Sequence, residues 1–475
     1  MSVDDRGGHV EMKQGIIGTV SRLALGVAAL SAAAGLGAGS ASAAGFFIQE
    51  QSVTGLGRAF AGGAAAADDA STVFSNPAGM TFLKQGEIQV GGSLLLPDSR
   101  LKDDGSTIDY PGFRTPLGIL NPPPGAISGE SKSNNPYDPT LVPHGYVAVP
   151  VPSTDNRLWV GFGLGAPFGL ESQYNSNWFG RYDATKTELN VYNFSPTVAY
   201  RVNDWLSIGG GIDISYAWAK LESKVPNPVG KLVPSFADDG DLSIKGDSWA
   251  VGYNIGAIVQ PVEGTRLGVH FRSGVDHMLD GRASLKGIGF PPLPGLPQTA
   301  DFATDGRAKL NLPPMLSFGI RQEITPQVAL LGGVTWYGWS SFKEIRVKRA
   351  DGGDDLVNEQ RYQDTVGVSI GGEYYWNDDL TLRAGFQYDP TPTKSGFRSS
   401  RTPDGDRYWL SAGLSYDVME NMSVDFAYTH IFIDARKMDA ERDFYTGTPL
   451  QTNVSYNADN SSSVDIVALG LRYRF

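Results

Sequence analysis

The sequence predicts an all-β protein: a transmembrane antiparallel β-barrel of about fourteen strands, with an N-terminal, partly helical plug in its lumen. Three observations carry this. The chain opens with an export signal. Downstream, apolar residues alternate with small or polar ones over segments of about ten residues. Aromatic residues collect at the ends of those segments, as they do at the interfacial girdles of barrels.

The export signal is "MKQGIIGTVSRLALGVAALSAAAGLGAGSASA". It has a basic start (Lys13, Arg22), an apolar middle and a small-residue end, and Ala41-Ser42-Ala43 fits a cleavage site. Residues 1–43 are therefore expected to be a signal peptide, with 1–11 an extension ahead of Met12. A membrane anchor is the competing reading; the dominance of alanine and glycine and the cleavage pattern speak against it. Losing this segment removes three acids (Asp4, Asp5, Glu11) and three bases (Arg6, Lys13, Arg22), so the net charge stays at −12. That acidity disfavours nucleic acid as a partner. The 475 residues contain no cysteine, which excludes disulfides, thiol nucleophiles and cysteine-ligated metals.

The strands follow. In "SVDIVALGLRYRF", Val467, Leu469, Leu471, Tyr473 and Phe475 share one face, and Ile466, Ala468, Gly470, Arg472 and Arg474 share the other. In "RYWLSAGLSYDV", Tyr408, Leu410, Ala412, Leu414, Tyr416 and Val418 oppose Ser411, Gly413, Ser415 and Asp417. "LTLRAGFQYD" and "TVGVSIGGEYYW" split in the same way. The terminal Phe475 also fits a barrel-assembly signal, so the assembly machinery is an expected partner. Strands are expected to begin near Glu87, His144, Leu158, Leu189, Leu206, Ser243, Thr265, Leu310, Gln327, Thr365, Leu380, Tyr408, Ser423 and Val464. Their connections alternate short and long. The long ones are 97–143, 170–188, 222–242, 277–303, 344–360, 390–406 and 433–462. Barrels of this class have short periplasmic turns and long outer loops, which puts both termini in the periplasm.

The segment "DDASTVFSNPAGMTFL" departs from this pattern. Asn76 is a good helix N-cap and Pro77 suits the first helical position. "SVTGLGRAFAGGAAAADDA" offers a second short helix. Neither is long enough to persist alone in water, so residues 44–85 need a surface, and the lumen of a barrel spanning 86–475 is the nearest.

Those residues closely resemble the N-terminal hatch of the FadL/TodX-type channels for long-chain fatty acids and hydrocarbons. The matching elements are Gly55-Leu56-Gly57-Arg58-Ala59, Ala67-Asp68-Asp69-Ala70 and Asn76-Pro77-Ala78. A second match runs from Gly165 to Asp213 and includes Trp178, Gly180-Arg181-Tyr182 and Asn203-Asp204. The resemblance implies capture of an apolar ligand among the outer loops, a pocket in the barrel, and sideways release at a kink in the third strand. Here that strand is "LWVGFGLGAPFGL", where Pro167 lacks an N–H and Gly165 and Gly169 weaken pairing beside Phe168. The plain alternative is that proline simply ends the strand there.

Phe46, Phe47, Arg181 and Arg272 are candidate ligand-binding residues. Arg272 should face the lumen, because Leu267, Val269 and Phe271 share the apolar face. Arg58, Asp68 and Asp69 are expected to cap helices and pair with lumen charges rather than hold a ligand or metal. The apolar loops "YPGFRTPLGILNPPPGAISGE" and "GIGFPPLPGLPQ" suit a surface that collects greasy molecules.

The expected function is passive uptake of hydrophobic compounds across the bacterial outer membrane, with fatty acid and aromatic hydrocarbon both open as ligands. No cofactor or metal is expected. Outer-membrane lipid and lipopolysaccharide are expected around a monomer. An open porin would lack the plug, and an outer-membrane enzyme would need a nucleophile and base that the four histidines after residue 43 do not suggest. An adhesin would rest on the long loops alone.

Overall fold

The computed structural model describes residues 45–110, 113–115, 118–120, 124–229, 238–289, 298–448 and 450–475. The export segment lies outside the described residues, as do the central parts of both apolar loops.

Fourteen wall strands close a barrel. They are β1 (Glu87–Asp103), β2 (Thr140–Pro150), β3 (Leu158–Gln173), β4 (Lys186–Arg201), β5 (Leu206–Val225), β6 (Gly240–Val262) and β7 (Thr265–Arg272). The second half is β8 (Met315–Thr325), β9 (Val328–Tyr337), β10 (Thr365–Tyr375), β11 (Leu380–Asp389), β12 (Arg407–Met419), β13 (Met422–Ile433) and β14 (Thr452–Arg474). Each pairs antiparallel with its sequence neighbour, and β1 closes on β14 from Glu87↔Arg474 to Asp103↔Ala458. Among the described residues no helix is long and apolar enough to cross a membrane; strands make the crossing.

Alternation explains the two faces of the wall. Leu469, Leu471 and Tyr473 are exposed outward, while Ala468, Gly470 and Arg472 are buried toward the lumen. Leu410, Tyr416 and Val418 do the same against Ser411 and Ser415.

The strand starts hold best on the short-turn side, as at Glu87, Leu158, Leu206, Thr265 and Leu380, and Thr365 holds on the long-loop side. On the long-loop side the strands run further than expected. β14 begins at Thr452 rather than near Val464, and β1 continues to Asp103. Expected loop 277–303 holds strand residues of an outer hairpin, Val275–Lys286 with Phe302–Leu312. These extensions rise above the lipid belt, so no apolar stripe marks their outward faces; their apolar residues, such as Leu279, Leu285 and Leu310, point inward. The eighth wall strand starts at Met315, not Leu310, because Pro313 and Pro314 supply no N–H at the break.

Residues 45–85 lie inside the barrel. Three short helices, Val53–Gly57, Gly63–Ala66 and Thr72–Ser75, lead to a 3₁₀ turn at Pro77–Phe82. Asn76 caps that turn, its side chain accepting from the Ala78 N–H, with Pro77 in the first turn. Wall glycines let this segment approach closely. A Cβ on Gly268 would overlap the Ala64 carbonyl, and one on Gly385 would overlap that of Arg58.

Candidate functional site

The plug is held by buried charge. Arg58 pairs with Asp68 at 2.7 Å and with Glu373 on β10 at 3.1 Å, and Arg383 reaches the same Glu373 at 3.0 Å. Asp69 accepts from the Ser71 N–H at 2.9 Å and from the Thr54 hydroxyl at 2.6 Å. Gly55, Leu56 and Gly57 form the first helix, with Gly57 packed against Gly413 of β12. Asn76 also donates to the Ala64 carbonyl at 2.7 Å, and Ala78 is fully buried.

A slit interrupts the wall between β2 and β3. Their pairing ends at Gly145↔Leu164 and the chains rejoin only where the Gln173 N–H meets the Pro136 carbonyl at 2.7 Å. On its other side β3 stays paired with β4, with a bulge between Gly165 and Phe168 that contains Pro167. The freed edge of β3 is not left bare. Phe46–Ile48 pairs with it like a short strand: Ile48 N–H donates to the Pro167 carbonyl at 2.8 Å and Gly169 N–H to the Phe46 carbonyl at 3.0 Å. Below these, Gln51 donates to the Ala166 carbonyl at 3.0 Å, and Tyr146 of β2 donates to the Gln51 carbonyl at 2.8 Å. Gly165 and Gly169 accommodate this seal, since Cβ atoms there would strike Gln51 and Ile48. Pro143 lies on the opposite lip of the slit.

An apolar pocket opens just above the seal. Phe46, Leu170, Leu189, Leu279, Leu310 and Phe342 line it. Phe46 stands edge-on to Trp339 and Phe342 with ring centroids 4.8 and 5.1 Å apart. Phe47 points instead into a second, more polar cavity beside the plug, with Gln387, His270 and Arg272. The two phenylalanines, packed on Phe168, thus divide the lumen.

Of the candidate cations, Arg272 faces the lumen but is engaged, 2.8 Å from Asp213 and stacked on the Phe74 ring. Arg181 pairs with Asp239 at 2.8 Å in the outer loops. Arg401 is different, and sequence reading missed it. It lines the apolar pocket, is 8% exposed, and among the described residues its guanidinium donates only to the Lys186 and Glu222 carbonyls and the Thr187 hydroxyl. Among the described residues no carboxylate lies within ion-pair distance of it. Burial pushes its guanidinium down to about 10, with Asp183 nearby opposing, so it remains a cation at neutral pH. Nothing local in "SSRTPDG" marks Arg401, because loops distant in sequence build its surroundings.

A closed antiparallel barrel with a plugged lumen, an apolar chamber and a slit in its wall defines a channel that handles greasy molecules. Comparison with known proteins agrees. The profile of the outer membrane protein transport family (OMPP1/FadL/TodX) matches residues 34–475. A long-chain fatty acid transport protein of Escherichia coli O6:H1 is 31% identical, over 88% of this chain and 92% of the relative. A FadL homologue of Pseudomonas aeruginosa superposes with a TM-score of 0.76 at 24% identity, covering 91% of this chain and all of that one. The toluene transporter TodX of P. putida gives 0.59 at 19% identity, over 86% and 94% of the two chains. The chain belongs to the OMPP1/FadL/TodX family. It is a channel of the bacterial outer membrane for hydrophobic compounds, not an enzyme.

Proposed function

We propose that the channel carries long-chain compounds bearing an anionic head, with a fatty acid as the type. The observation behind this is Arg401, a buried cation beside an apolar pocket with no carboxylate in ion-pair distance among the described residues. A buried charge is costly unless paired, and a ligand carboxylate would supply the pair, whereas toluene would not. The edge-on cluster of Phe46, Trp339, Phe342 and Tyr362 favours a second reading, a small aromatic ring as ligand.

In this reading residues 1–43 are a signal peptide, 44–85 the hatch and 86–475 the barrel. The ligand displaces Phe46–Ile48 from β3, then leaves sideways through the slit at Gly165, Pro167, Phe168 and Gly169. Sideways exit has a physical reason: apolar surface entering water costs about 25 cal/mol per Å², several kcal/mol for a long chain. Passage into lipid avoids that cost. Barrel-assembly machinery that reads Phe475 and a belt of outer-membrane lipid and lipopolysaccharide complete the partners of a monomer.

The test is competition between oleate and toluene for purified protein, with Arg401→Gln alongside. The reading expects oleate to bind more tightly and to lose affinity in the variant, with toluene unaffected. Equal oleate binding by both proteins would remove the carboxylate reading.

A further inference from the structure

Outside the wall, on the other face of the strands that line the apolar pocket, lies an open groove of about 1410 Å³. Alternation makes the relation plain. Ile345 and Val347 line the pocket, while Glu344, Arg346 and Lys348 line the groove. Gly306, Lys309 and Phe342 line both, so the two spaces are separated by one layer of chain.

That layer is incomplete. The strands Phe302–Leu312 and Glu344–Arg349 pair only at Gly306↔Arg349, Arg307↔Lys348 and Ala308↔Val347. Contact resumes below, where the Gly338 N–H donates to the Pro314 carbonyl at 2.9 Å. Between these limits one weak bond crosses, from the Asn311 side-chain amide to the Ser341 carbonyl at 3.4 Å. The Asn311 side-chain carbonyl and the Ser341 hydroxyl are buried with no hydrogen-bond partner among the described residues. Pro313 and Pro314 explain why the ladder fails here. Outward-facing Trp336 touches the lower edge at Gly338, which sets the opening at the level of an interfacial aromatic girdle.

The groove is also the wrong sign for this protein. Six cations line it, Arg307, Lys309, Lys343, Arg346, Lys348 and Arg349, against three acids, Asp280, Asp305 and Glu344, in a chain of net charge −12. The arginines are spoken for: Arg307 by Asp280 at 2.6 Å, Arg346 by Glu344 at 2.5 Å and Arg349 by Asp351 at 2.5 Å. Lys309, Lys343 and Lys348 have no ion pair among the described residues. Arg307 and Lys348 stand directly opposite each other on adjacent strands, an arrangement that like charges disfavour. An anion in the groove would relieve it.

The geometry points to a side entrance: an anionic amphiphile docks its carboxylate or phosphate head among Lys309, Lys343 and Lys348, and its tail passes the Asn311–Ser341 opening into the apolar pocket. This rests on the channel reading above and adds a point of entry at the membrane surface, distinct from the slit between β2 and β3. The same head chemistry occurs in free amphiphiles and in lipopolysaccharide; the entrance is assigned to the free form, whose single tail can thread the opening.

Two variants of the full-length protein test this. Lys309, Lys343 and Lys348 are exposed, so K309E/K343E/K348E should fold. Oleate association with the purified variant should slow roughly ten-fold and lose its salt dependence, while uncharged hexadecanol is unaffected. In the second, Asn311→Cys and Ser341→Cys are joined by a short bis-maleimide, in a chain with no other cysteine. Oleate uptake by cells should then fall at least ten-fold relative to the unlinked variant. Unchanged oleate association in the first variant, or unchanged uptake with the link shown to be formed, overturns the side entrance. So does a charge reversal that weakens only lipopolysaccharide binding. If the linked protein takes up oleate normally while Arg401→Gln still weakens its binding, the entrance fails alone and the channel reading stands.

Discussion

Single residues carry the charge logic of this barrel. Arg58 is 5% exposed and serves both Asp68 and Glu373. Removing one member of such a buried network strands the others, at about 3–5 kcal/mol. Arg58→Ala should therefore loosen the plug while leaving the strand ladders intact. Planar-bilayer recording should show low conductance for the native protein and frequent open events for the variant; native-like silence would mean that the network does not seat the plug. Asn76 and Pro77 were legible as a helix start, because capping is local chemistry. The inward direction of Arg272 was also legible from parity. Its engagement by Asp213 was not, since that partner sits two strands away on β5.

Elements act as units in the outer loops. Asp183 accepts from the Ser399 hydroxyl at 2.8 Å and the Ser400 N–H at 2.6 Å, and pairs with Arg442 at 2.7 Å. Burial would raise its carboxyl, but Arg442, Arg401 and the serine donors outweigh it and hold it at about 2. A depressed carboxyl stabilises the fold above its unfolded value, about 3.9, and the contribution is lost as pH falls toward 2. Loop 395–402 should therefore resist an acid-active protease at pH 5 and become cleavable near pH 2.5, with the barrel still heat-modifiable. Asp183→Asn should be cleaved at both. Equal protection of the two proteins at pH 5 would contradict this docking. The sequence located these loops but not their strands. Above the lipid belt the outer face meets no hydrocarbon, so β14 carries no outward apolar stripe from Thr452 to Ser463, and only the inward Val454, Tyr456 and Ala458 alternate.

At the scale of the whole molecule the alternation of short and long connections was the strongest guide. It depends on membrane geometry rather than on any one residue. It also places the outer loops, and single cysteines at Lys132 or Gly447 should react with an impermeant thiol reagent on intact cells. Labelling only after permeabilisation would invert the topology. The slit was half legible. Pro167 and its glycines marked β3, but the pairing of Phe46–Ile48 with that edge joins residues about 120 apart and has no local signal.

That pairing is the centre of the account, because the same backbone atoms seal the wall and would have to part for a ligand to leave. Phe47 and Phe168 face each other in an antiparallel bridge, a spacing that suits a disulfide. The decisive measurement is uptake of labelled oleate by cells carrying Phe47→Cys with Phe168→Cys, oxidised and then reduced, at matched surface expression. Loss of uptake when the bridge is formed, and its recovery on reduction, is the predicted result. Equal uptake in both states, with the bridge shown to be present, would contradict exit through this slit.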